Sequence, residues 1–419
     1  MQHRSQNDLQ VNDLEFDVAV VGGGVVGLLS AVLLAELSLE VAVIAEEFDP
    51  SPPVDDIELR CYAITPGSRA IFEAAGVWRG VDRSRVGEFF AMDVWDAASS
   101  GRIRFDPPVI HEGPMGWIIE HQNLIAALAA KLAGREGVSV HRQAMTRLLP
   151  SDRPVAVLKD GSTVRARLFV GADGATSRVR DAAGIAVERV GYEHTAVVCN
   201  VVSEKPHAGI ARQRFLASGP LAFLPLADAC SCSIVWTCTE DLARAIEDDS
   251  DASFCARLET ALEGRLGAIT GASPRAAFPV ERLRAKRTVH GSCVLVGDAA
   301  HVIHPLAGQG VNLGIIDAAA LAECIGPRTS ASRWPRPAAL RRYQRWRASE
   351  TLAMTFVTDG LKRLFQSDAL PVRLLRGAGM RTTDRLPLLK EWMIERAMGT
   401  RGDLPRIARP FVDAAGPTS

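Results

Sequence analysis

The alternation of apolar runs and glycines at the start of the chain predicts a β-α-β unit. Val18–Val21 is an apolar run typical of a buried strand, a tight turn covers residues 22–27, and Leu28–Leu37 is predicted to be a helix. The β-branched run Val41–Ile44 predicts the next strand. Three consecutive glycines interrupt the apolar stretch and argue against a membrane-spanning helix, because glycine destabilises a helix interior.

The pattern after the first unit predicts more mixed structure and then a change near residue 186. Helices are expected at Arg69–Ala75 and Leu124–Leu132, and residues 155–158 and 163–168 flank an Asp-Gly pair that predicts a hairpin. Residues 186–285 contain strand patterns separated by turns without helices between them, which indicates a mostly antiparallel layer. The clearest of these strands are Val197–Val202, Leu221–Leu226 and Ser231–Thr239.

Alternation of strand and helix returns towards the C-terminus. Val294–Val296 predicts a strand, an Ala-rich helix is expected at Val311–Cys324, and the chain from Ala338 onward has a helical pattern. We therefore predict an α/β protein with a nucleotide-binding part built from residues 16–80, 110–185 and 286–330. A β-sheet domain is expected from residues 81–109 and 186–285, and a helical C-terminal region from residues 338–405.

Composition and charge exclude several classes of protein. The chain has 419 residues, of which 47% are hydrophobic and 23% are charged, and this balance is globular rather than disordered. A formal net charge of -1 gives no general attraction for nucleic acid, so no nucleic-acid partner is expected. The eight cysteines include no Cys-x-x-Cys pair, which argues against a zinc ribbon or a thioredoxin-like centre. The N-terminus lacks an apolar signal core, and a cytoplasmic location is predicted.

The first candidate site is the glycine turn after the first strand. Gly22, Gly24 and Gly27 have the Gly-x-Gly-x-x-Gly spacing, which permits a sharp turn, close approach of a pyrophosphate and close packing of the helix on the strand. An acidic residue after the second strand should bind ribose hydroxyls. Glu46 is the candidate and Glu47 the second choice, and an exposed loop charge is an equally good interpretation of either.

Two further segments carry candidate binding residues. Asp173 and Gly174 form an Asp-Gly turn between a strand and a helix, a pattern that is also common in ordinary connections. Asp298 follows the strand at Val294–Val296, where its carboxylate could bind a polyol chain. The glycines of residues 308–310 then bring backbone amides to a helix N-terminus, whose positive end suits a ring that becomes negatively charged on reduction, as a flavin does.

Together these segments resemble the class A flavoprotein monooxygenases, and within them the hydroxylases of ubiquinone biosynthesis. The likeness extends over about residues 16–405. It is carried by the glycine turn, by Gly171-Ala172-Asp173-Gly174, by Gly297-Asp298-Ala299-Ala300-His301 and by the run from His304 to Asp317. Shorter matches are Arg60–Ile64, Gly76–Trp78, Met92–Asp96, Gly219–Leu226 and Leu340–Tyr343.

The resemblance implies a three-segment, Rossmann-like FAD-binding domain of the glutathione-reductase type and assigns roles to residues. Gly22, Gly24 and Gly27 would hold the FAD pyrophosphate, and Arg60 would reach the cofactor. Asp173 and Gly174 would serve FAD and the nicotinamide donor, and Asp298 would hold ribityl and pyrophosphate. The residues expected to border the isoalloxazine are Pro305, Gly308, Gln309, Gly310, Val311 and Asn312, with Gln122 as a further flavin contact.

The resemblance also implies the reaction and its partners. NADPH or NADH would reduce FAD, and O2 would then form a hydroperoxide at flavin C4a that hydroxylates a phenol or quinol ring, so that no acid/base pair is needed. Residues 221–226 and 231–236 could form the apolar wall opposite the ring, or be sheet core. The substrate would be an aromatic small molecule or a lipid quinone precursor. Peripheral contact with the inner membrane, a quinone-biosynthesis complex and a homo-oligomer stay open.

Other interpretations are weighed against this one. The competing functions are a non-catalytic FAD-binding accessory protein, a hydroxylase of a non-prenylated metabolite, an NAD(P) dehydrogenase, and a flavin halogenase or amine oxidase. His301, His304 and Asp298 could suggest a metal, but they lie on a loop with no fourth ligand, so no metal is predicted. Ala45, Ser38, His194 and the pair Arg212-Gln213 depart from the family pattern. The arginines at residues 333–347 favour a solvated helix face, with anionic lipid as the alternative.

Overall fold

The computed structural model describes residues 14–54, 56–106, 113–149, 151–303, 309–328, 334–366 and 369–409. Three β-sheets and the helices around them make up the fold. The strands are β1 (Leu14–Val21), β2 (Val41–Ile44), β3 (Cys61–Ile64), β4 (Gly87–Phe89), β5 (Ala91–Asp96), β6 (Arg102–Phe105), β7 (Gly116–Glu120), β8 (Val138–His141), β9 (Met145–Leu149), β10 (Val155–Leu158), β11 (Thr163–Gly171), β12 (Val187–Ser203), β13 (Ile210–Leu216), β14 (Gly219–Pro225), β15 (Ser231–Thr239), β16 (Ile269–Ala272), β17 (Ala276–Ala285), β18 (Val289–His290), β19 (Cys293–Leu295) and β20 (His301–Val302). The α-helices are α1 (Val25–Ala35), α2 (Pro66–Ala74), α3 (His121–Leu132), α4 (Arg178–Ala182), α5 (Glu240–Asp248), α6 (Asp251–Ala261), α7 (Gln309–Ile325), α8 (Pro337–Gln366), α9 (Leu370–Arg385) and α10 (Pro387–Ala397).

The first sheet has a parallel centre in the order β8-β2-β1-β11-β19. Its strands are apolar on both faces because both faces are covered, as expected of a parallel sheet. Val20 and Val170 belong to the cluster that packs against α1, α3 and α7, while Ala19 and Phe169 belong to the cluster on the opposite face. The predicted hairpin is present as the antiparallel pair β10–β11. This arrangement confirms the predicted α/β class.

The second sheet is mostly antiparallel, in the order β20-β17-β12-β15-β14-β13-β5-β6, with β16 paired to β12. β13 and β5 form its parallel pair. β20 lies within residues 286–330, which were predicted to belong to the nucleotide-binding part, yet it pairs with β17 of this second sheet. The loop after β19 therefore crosses from one large sheet to the other.

The two faces of the second sheet have different neighbours. One face packs Leu221, Phe223 and Trp236 against α5 and α6. On the other side an apolar cluster joins Ala211, Leu224 and Leu226 to Phe89, Met115 and Ile118 of the three-stranded sheet β3-β7-β4, and to Ile394 and Met398 of α10. We call this second group the inter-sheet cluster. It fills the space between the second sheet and the small one.

The C-terminal helices, whose helical pattern is present as predicted, are attached by polar and aromatic contacts. Arg376 of α9 forms a bidentate ion pair with Asp96 of β5, with nitrogen–oxygen distances of 2.9 and 3.0 Å, and both side chains are buried. Phe365 of α8 stacks on Phe215 of β13 at a centroid distance of 3.7 Å. Because a buried charge without its partner is costly, the Asp96–Arg376 pair fixes α9 on the second sheet.

Helix α1 differs from its predicted limits at both ends. It begins at Val25, three residues before the predicted start, because the turn is completed within Gly22–Gly24. It ends at Ala35, and Ser38 then takes a left-handed conformation with φ of +57°. This conformation is unfavourable for a residue with a Cβ atom, and glycine would adopt it more readily.

We predict that Ser38→Gly increases the free energy of unfolding by about 0.5–1 kcal/mol, because glycine adopts the left-handed conformation without steric cost. Urea denaturation of the FAD-loaded protein measures the change. Ser349→Gly in the middle of α8 is the control and should lose about 1 kcal/mol, since glycine is unfavourable inside a helix. A loss of stability in Ser38→Gly would contradict the assignment of strain to this residue.

Candidate cofactor site and active site

The three segments predicted to bind the cofactor meet at one edge of the first sheet. β1, β11 and β19 are adjacent parallel strands that end at Val21, Gly171 and Leu295. Backbone hydrogen bonds continue past these ends, from Ala172 N to Val21 O at 2.8 Å and from Val296 N to Gly171 O at 3.0 Å. The carboxyl edge of a parallel sheet is the usual place for ligand binding, because the connecting loops and helix N-termini gather there.

The glycine turn has two glycines required by the protein and one that faces open space. A Cβ atom on Gly22 would lie 2.2 Å from the carbonyl oxygen of Ala172, and one on Gly27 would lie 2.1 Å from the oxygen of Gly22. Gly22 also has φ of +125°. A Cβ atom on Gly24 would meet no described atom within 4 Å. Gly24 opens the N-terminus of α1, where free backbone N–H groups favour an anion such as a pyrophosphate.

The second segment contributes Asp173, which caps a short helix and keeps one oxygen unpaired. Its Oδ2 accepts hydrogen bonds from the backbone N–H groups of Arg178 at 2.7 Å and Val179 at 3.2 Å. Its Oδ1 is buried and has no hydrogen-bond partner within the described residues. Burial raises the pKa of Asp173. A buried carboxylate oxygen without a partner is costly, and a ligand hydroxyl would satisfy it.

Buried Arg180 joins the second segment to the third. Its guanidinium donates to the carbonyl oxygens of Ala175 at 2.9 Å and Ala299 at 3.2 Å. Ala175 lies close to Asp173 in the chain, and Ala299 directly follows Asp298. Arg180 therefore holds the segments of these two predicted acidic residues in a fixed position relative to each other. Burial raises the pKa of Asp298, although the charges of His301 and Arg60 lower it. Asp298 itself is exposed to solvent at the carboxyl edge of the first sheet.

The loop that carries Asp298 is fixed by a buried carboxylate, Asp317 of α7. Its Oδ2 accepts from the backbone N–H of Gly297 at 3.0 Å and from Nε2 of His301 at 2.7 Å. Its Oδ1 accepts from Nε of Arg347 at 2.6 Å. Burial would raise the pKa of Asp317, but the charges and hydrogen bonds of His301 and Arg347 lower it below its ordinary value. The Nε2 atom of His301 is therefore already hydrogen-bonded to Asp317.

The start of α7 is connected to the loop that bears Arg60. The Nδ2 of buried Asn312 donates to Ala63 O at 2.8 Å, and its Oδ1 accepts from Thr65 N at 3.1 Å. Its side chain is therefore bonded to protein, and contact with a flavin would fall to the backbone. Gly310 has open space where a Cβ atom would be, as does Gly174, while Val311 is half-buried. Predicted residues Pro305 and Gly308 lie outside the described residues, and Gln309 is described only as the first residue of α7.

Tyr62 and His121 complete the surroundings of Arg60, although neither was predicted to be a site residue. The Tyr62 hydroxyl lies 3.1 Å from Nδ1 of His121, and the guanidinium of Arg60 lies 5.6 Å from the Tyr62 ring centroid. Burial, with a smaller contribution from Arg60, lowers the pKa of His121 to about 4, so its ring is neutral at pH 7. Burial raises the pKa of Tyr62 to about 12. Arg60 is therefore the cation of this group, and its charge acts on Asp298.

Two predicted residues are already engaged with protein. The side-chain nitrogen of Gln122 donates to the carbonyl oxygens of Asp49 at 2.8 Å and Ser51 at 2.7 Å, so it holds the loop after β2. Glu46 is exposed and pairs with Lys159 at 3.0 Å, while buried Ala45 occupies the position where an acidic residue was expected. Contact of Gln122 with the flavin and of Glu46 with ribose stays a prediction.

The residues predicted to form an apolar wall divide between the two faces of the second sheet. Leu221, Phe223 and Trp236 point into the core with α5 and α6, as the sheet-core interpretation expects. Leu224 and Leu226 belong to the inter-sheet cluster. The alternation of side chains along a strand explains the division, since neighbouring residues point to opposite faces.

The described ranges contain neither a cluster of metal-binding side chains nor a membrane-spanning helix. In the described ranges, no group of three or more His, Cys, Asp or Glu side chains is placed to hold a metal ion. His304, which the metal hypothesis used, lies outside those ranges. No helix within the described part of the chain has the length and apolar character needed to cross a bilayer.

Comparisons with known proteins identify the family. The model of the FAD binding domain family matches residues 15–354. The chain belongs to this family. It is 36% identical over 389 residues to ubiquinone hydroxylase UbiL of Rhodospirillum rubrum, covering 92% of this chain and 90% of that protein. It is 33% identical to 3-demethoxyubiquinol 3-hydroxylase of Escherichia coli, covering 91% of this chain and 98% of that protein.

A solved structure supports the same assignment. Pseudomonas aeruginosa PqsL in complex with 2-aminobenzoylacetate superposes with a TM-score of 0.72 and 25% identity, covering 88% of this chain and 100% of that one. The predicted family, fold class and FAD cofactor are therefore confirmed. The chain is an FAD-dependent monooxygenase of the aromatic hydroxylase type, for which NADPH or NADH is the electron donor.

The residues at the sheet edge fit FAD. The open space at Gly24 and the α1 N-terminus suit the pyrophosphate, and the unpaired Oδ1 of Asp173 suits a hydroxyl. Asp298 would accept from the ribityl chain, and the charge of Arg60 acts on this carboxylate. Bound FAD supplies the redox and oxygen chemistry, and these residues would bind and orient it.

We predict that Gly24→Ala weakens FAD binding at least about tenfold, equivalent to about 1.4 kcal/mol, while the apoprotein keeps its thermal stability. The new methyl group would occupy the space beside the α1 N-terminus without meeting protein atoms. Flavin fluorescence titration and apoprotein melting measure the two effects. Gly22→Ala should lower both affinity and stability, because its methyl group collides with Ala172. Gly271→Ala in β16 is the neutral control. Unchanged affinity in Gly24→Ala would contradict this location of the pyrophosphate.

Proposed function

We propose that this enzyme hydroxylates the ring of a polyprenylated ubiquinone precursor, a phenol or quinol, using O2 and NAD(P)H. The observation that carries the proposal is the inter-sheet cluster, a group of buried apolar side chains against which the neighbours of Arg60 and Tyr62 pack. The names of the two relatives support the same substrate class, since both act in ubiquinone hydroxylation.

The inter-sheet cluster contacts the loop of Arg60 on one side and a C-terminal helix on the other. Cys61 and Ala63, neighbours of Arg60 and Tyr62, pack against it, and so does Leu224 of β14. Ile394 of α10 and Met398, directly after that helix, belong to the same cluster. An aromatic ring bound against the edge of this cluster would make apolar contacts, and the same side chains would exclude water from the ring.

The polar groups near the cluster hold neighbouring segments of the chain in position, and no role in proton transfer is assigned to them. Glu120 is buried and bound to Arg85 by nitrogen–oxygen contacts of 2.7 Å, and its Oε1 also accepts from the backbone N–H of Glu58 at 2.8 Å. Glu58 in turn accepts from Gln122 N at 2.8 Å. These bonds fix the segment before Arg60, so the arginine and the substrate ring would keep a constant relation.

The proposal predicts that the enzyme oxidises NADPH or NADH and forms hydroxylated product with a prenylated phenol. Stopped-flow absorbance follows flavin reduction, and mass spectrometry under 18O2 detects incorporation of one labelled oxygen atom. Leu224→Asp should lower kcat/KM at least about tenfold, because an unpaired charge would be buried beside the ring. The control is Val202→Asp at an exposed position of the same sheet. Flavin that binds but is never reoxidised with product formation would instead indicate an accessory protein.

We also propose that the enzyme contacts the membrane through exposed side chains of α9 and α10. The apolar residues of this α9–α10 surface are Leu370, Leu374, Leu375, Leu388, Leu389 and Trp392, and Leu388 is 82% exposed. Arg385, the last residue of α9, is exposed and makes no hydrogen bond or ion pair within the described ranges. Exposed leucines, a tryptophan and a cation are typical of helices that lie in a bilayer interface with anionic lipid.

Helix α10 connects this surface to the site. Its Leu388 and Trp392 are exposed, whereas Ile394 and Met398 pack in the inter-sheet cluster. A prenyl tail could therefore lie along the helix from the bilayer to the ring site. Apolar side chains at both ends of this helix would contact the tail of a substrate that resides in the membrane.

We predict that the double variant Leu374→Ser/Leu375→Ser binds phosphatidylglycerol vesicles at least about tenfold more weakly than the unchanged enzyme, because two leucines lose their contact with acyl chains. Vesicle flotation measures binding, and Val202→Ser controls for loss of an exposed apolar residue elsewhere. Activity on a water-soluble short-chain phenol should be retained. Equal vesicle binding, or dimerisation that the double variant abolishes, would reject the membrane contact.

A further inference from the structure

A pocket rich in arginine lies at the C-terminal end of α7, outside the cofactor site. It has a volume of about 520 Å3 and is formed by α7, α8 and the segment after α10. We call it the arginine pocket. Its lining residues are Glu323, Arg342, Arg345, Trp346, Ser349, Asp403, Leu404, Arg406 and Arg409. Neither the fold nor the hydroxylation reaction requires a cavity at this position.

The spacing along α8 separates residues that anchor the helix from residues that line the pocket. Tyr343 and Arg347, four residues apart, are buried and bond to Leu295 O and Asp317. Arg342, Arg345 and Trp346 lie on the neighbouring face of the helix, as their spacing of three and four residues requires. The buried anchors hold the lining residues in place.

Hydrogen bonds also fix the opposite wall. The backbone N–H of Arg406 donates to Glu323 Oε2 at 2.8 Å, and the indole Nε1 of Trp346 donates to Asp403 O at 2.7 Å. Leu404 and Ala408 are buried in the core beneath. The pocket is therefore part of a packed structure rather than a chance gap between mobile side chains.

The charges of the pocket are unbalanced. Four guanidinium groups face two carboxylates, those of Glu323 and Asp403. Glu323 is engaged by Arg342 at 3.3 Å and by the backbone of Arg406. The guanidiniums of Arg345 and Arg406 make no hydrogen bond or ion pair inside the described part of the chain. Concave walls concentrate such a positive field, and the planar fork of arginine is suited to phosphate oxygens.

We propose that the arginine pocket binds a phosphate ester. Arg345 and Arg406 would hold the phosphate, and the carbon-containing part of the ester would lie against the indole of Trp346 and against Leu404. A phosphate alone would leave much of this volume unfilled, which favours a ligand with an attached organic group. The ester could be a soluble metabolite or the headgroup of a phospholipid, since both present the same chemistry.

This site is separate from the flavin. Glu323 lies fourteen residues after Gln309 along α7, which corresponds to roughly 20 Å at 1.5 Å per residue. A ligand in the pocket would take no part in hydride or oxygen transfer. Its binding can therefore be tested without turnover.

The test uses the FAD-loaded enzyme, so that the cofactor site is occupied. Isothermal titration calorimetry with glycerol 3-phosphate and with inorganic pyrophosphate forms the soluble arm. Flotation with phosphatidylglycerol vesicles against phosphatidylcholine vesicles forms the lipid arm. Arg345→Gln and Arg406→Gln remove the two unpaired guanidiniums. Arg341→Gln is the matched control, because Arg341 is exposed on the same helix but does not line the pocket.

We expect each pocket variant to weaken binding at least about tenfold in one arm while Arg341→Gln changes it less than about twofold, since two arginines would share one phosphate. Loss in the soluble arm would identify a soluble ester, and loss confined to the vesicle arm would identify a headgroup. Binding in neither arm, or equal loss in all three variants, would overturn the proposal. Because α9–α10 lies elsewhere on the chain, the double leucine variant shows whether vesicle binding by the two regions is independent.

Discussion

The buried carboxylate of Asp317 is the interaction on which the rest of the site depends. It holds the backbone of Gly297, the ring of His301 and the guanidinium of Arg347 at once, and thereby joins the loop after β19, α7 and α8. Removing one member of such a buried network typically costs about 3–5 kcal/mol. Asp298 directly follows Gly297. Its position therefore depends on the side chain of Asp317, for which no contact with the cofactor is predicted.

Around this fixed point, different parts of the fold provide the cofactor site and the proposed substrate site. The first sheet supplies backbone groups and carboxylates at strand ends, which suit a polar cofactor with a fixed shape. The second sheet and α10 supply apolar side chains, which suit an aromatic substrate. Arg60, Tyr62 and His121 lie between the two regions, and the low pKa of His121 leaves Arg60 as the local positive charge.

Most of the predicted backbone elements are present because their signals are local, but α5 and α6 lie in the stretch of residues 186–285 that was wrongly predicted to contain strands and turns alone. Glycine spacing and β-branched runs predicted the β-α-β unit, and the change of pattern near residue 186 predicted the antiparallel sheet. Contacts between distant side chains had no such signal. Asn312 was predicted to border the isoalloxazine from its motif. Its side-chain hydrogen bonds to Ala63 and Thr65, about 250 residues earlier, were not predicted. Likewise the pairing of Tyr62 with His121, and the division of β14 between two faces, follow from how segments pack and not from their composition.

The position of β19 has a consequence for synthesis of the chain. β19 completes the parallel sheet beside β11, yet more than one hundred residues, including β12 to β17 of the second sheet, lie between them. A ribosome will therefore have released β1, β2 and β11 long before their edge partner emerges. During that interval the apolar edge of β11 is open to pairing with other nascent chains. Asp298 and Asp317 also follow β19 in the chain, so the predicted set of FAD-binding residues is complete only after this edge has been covered.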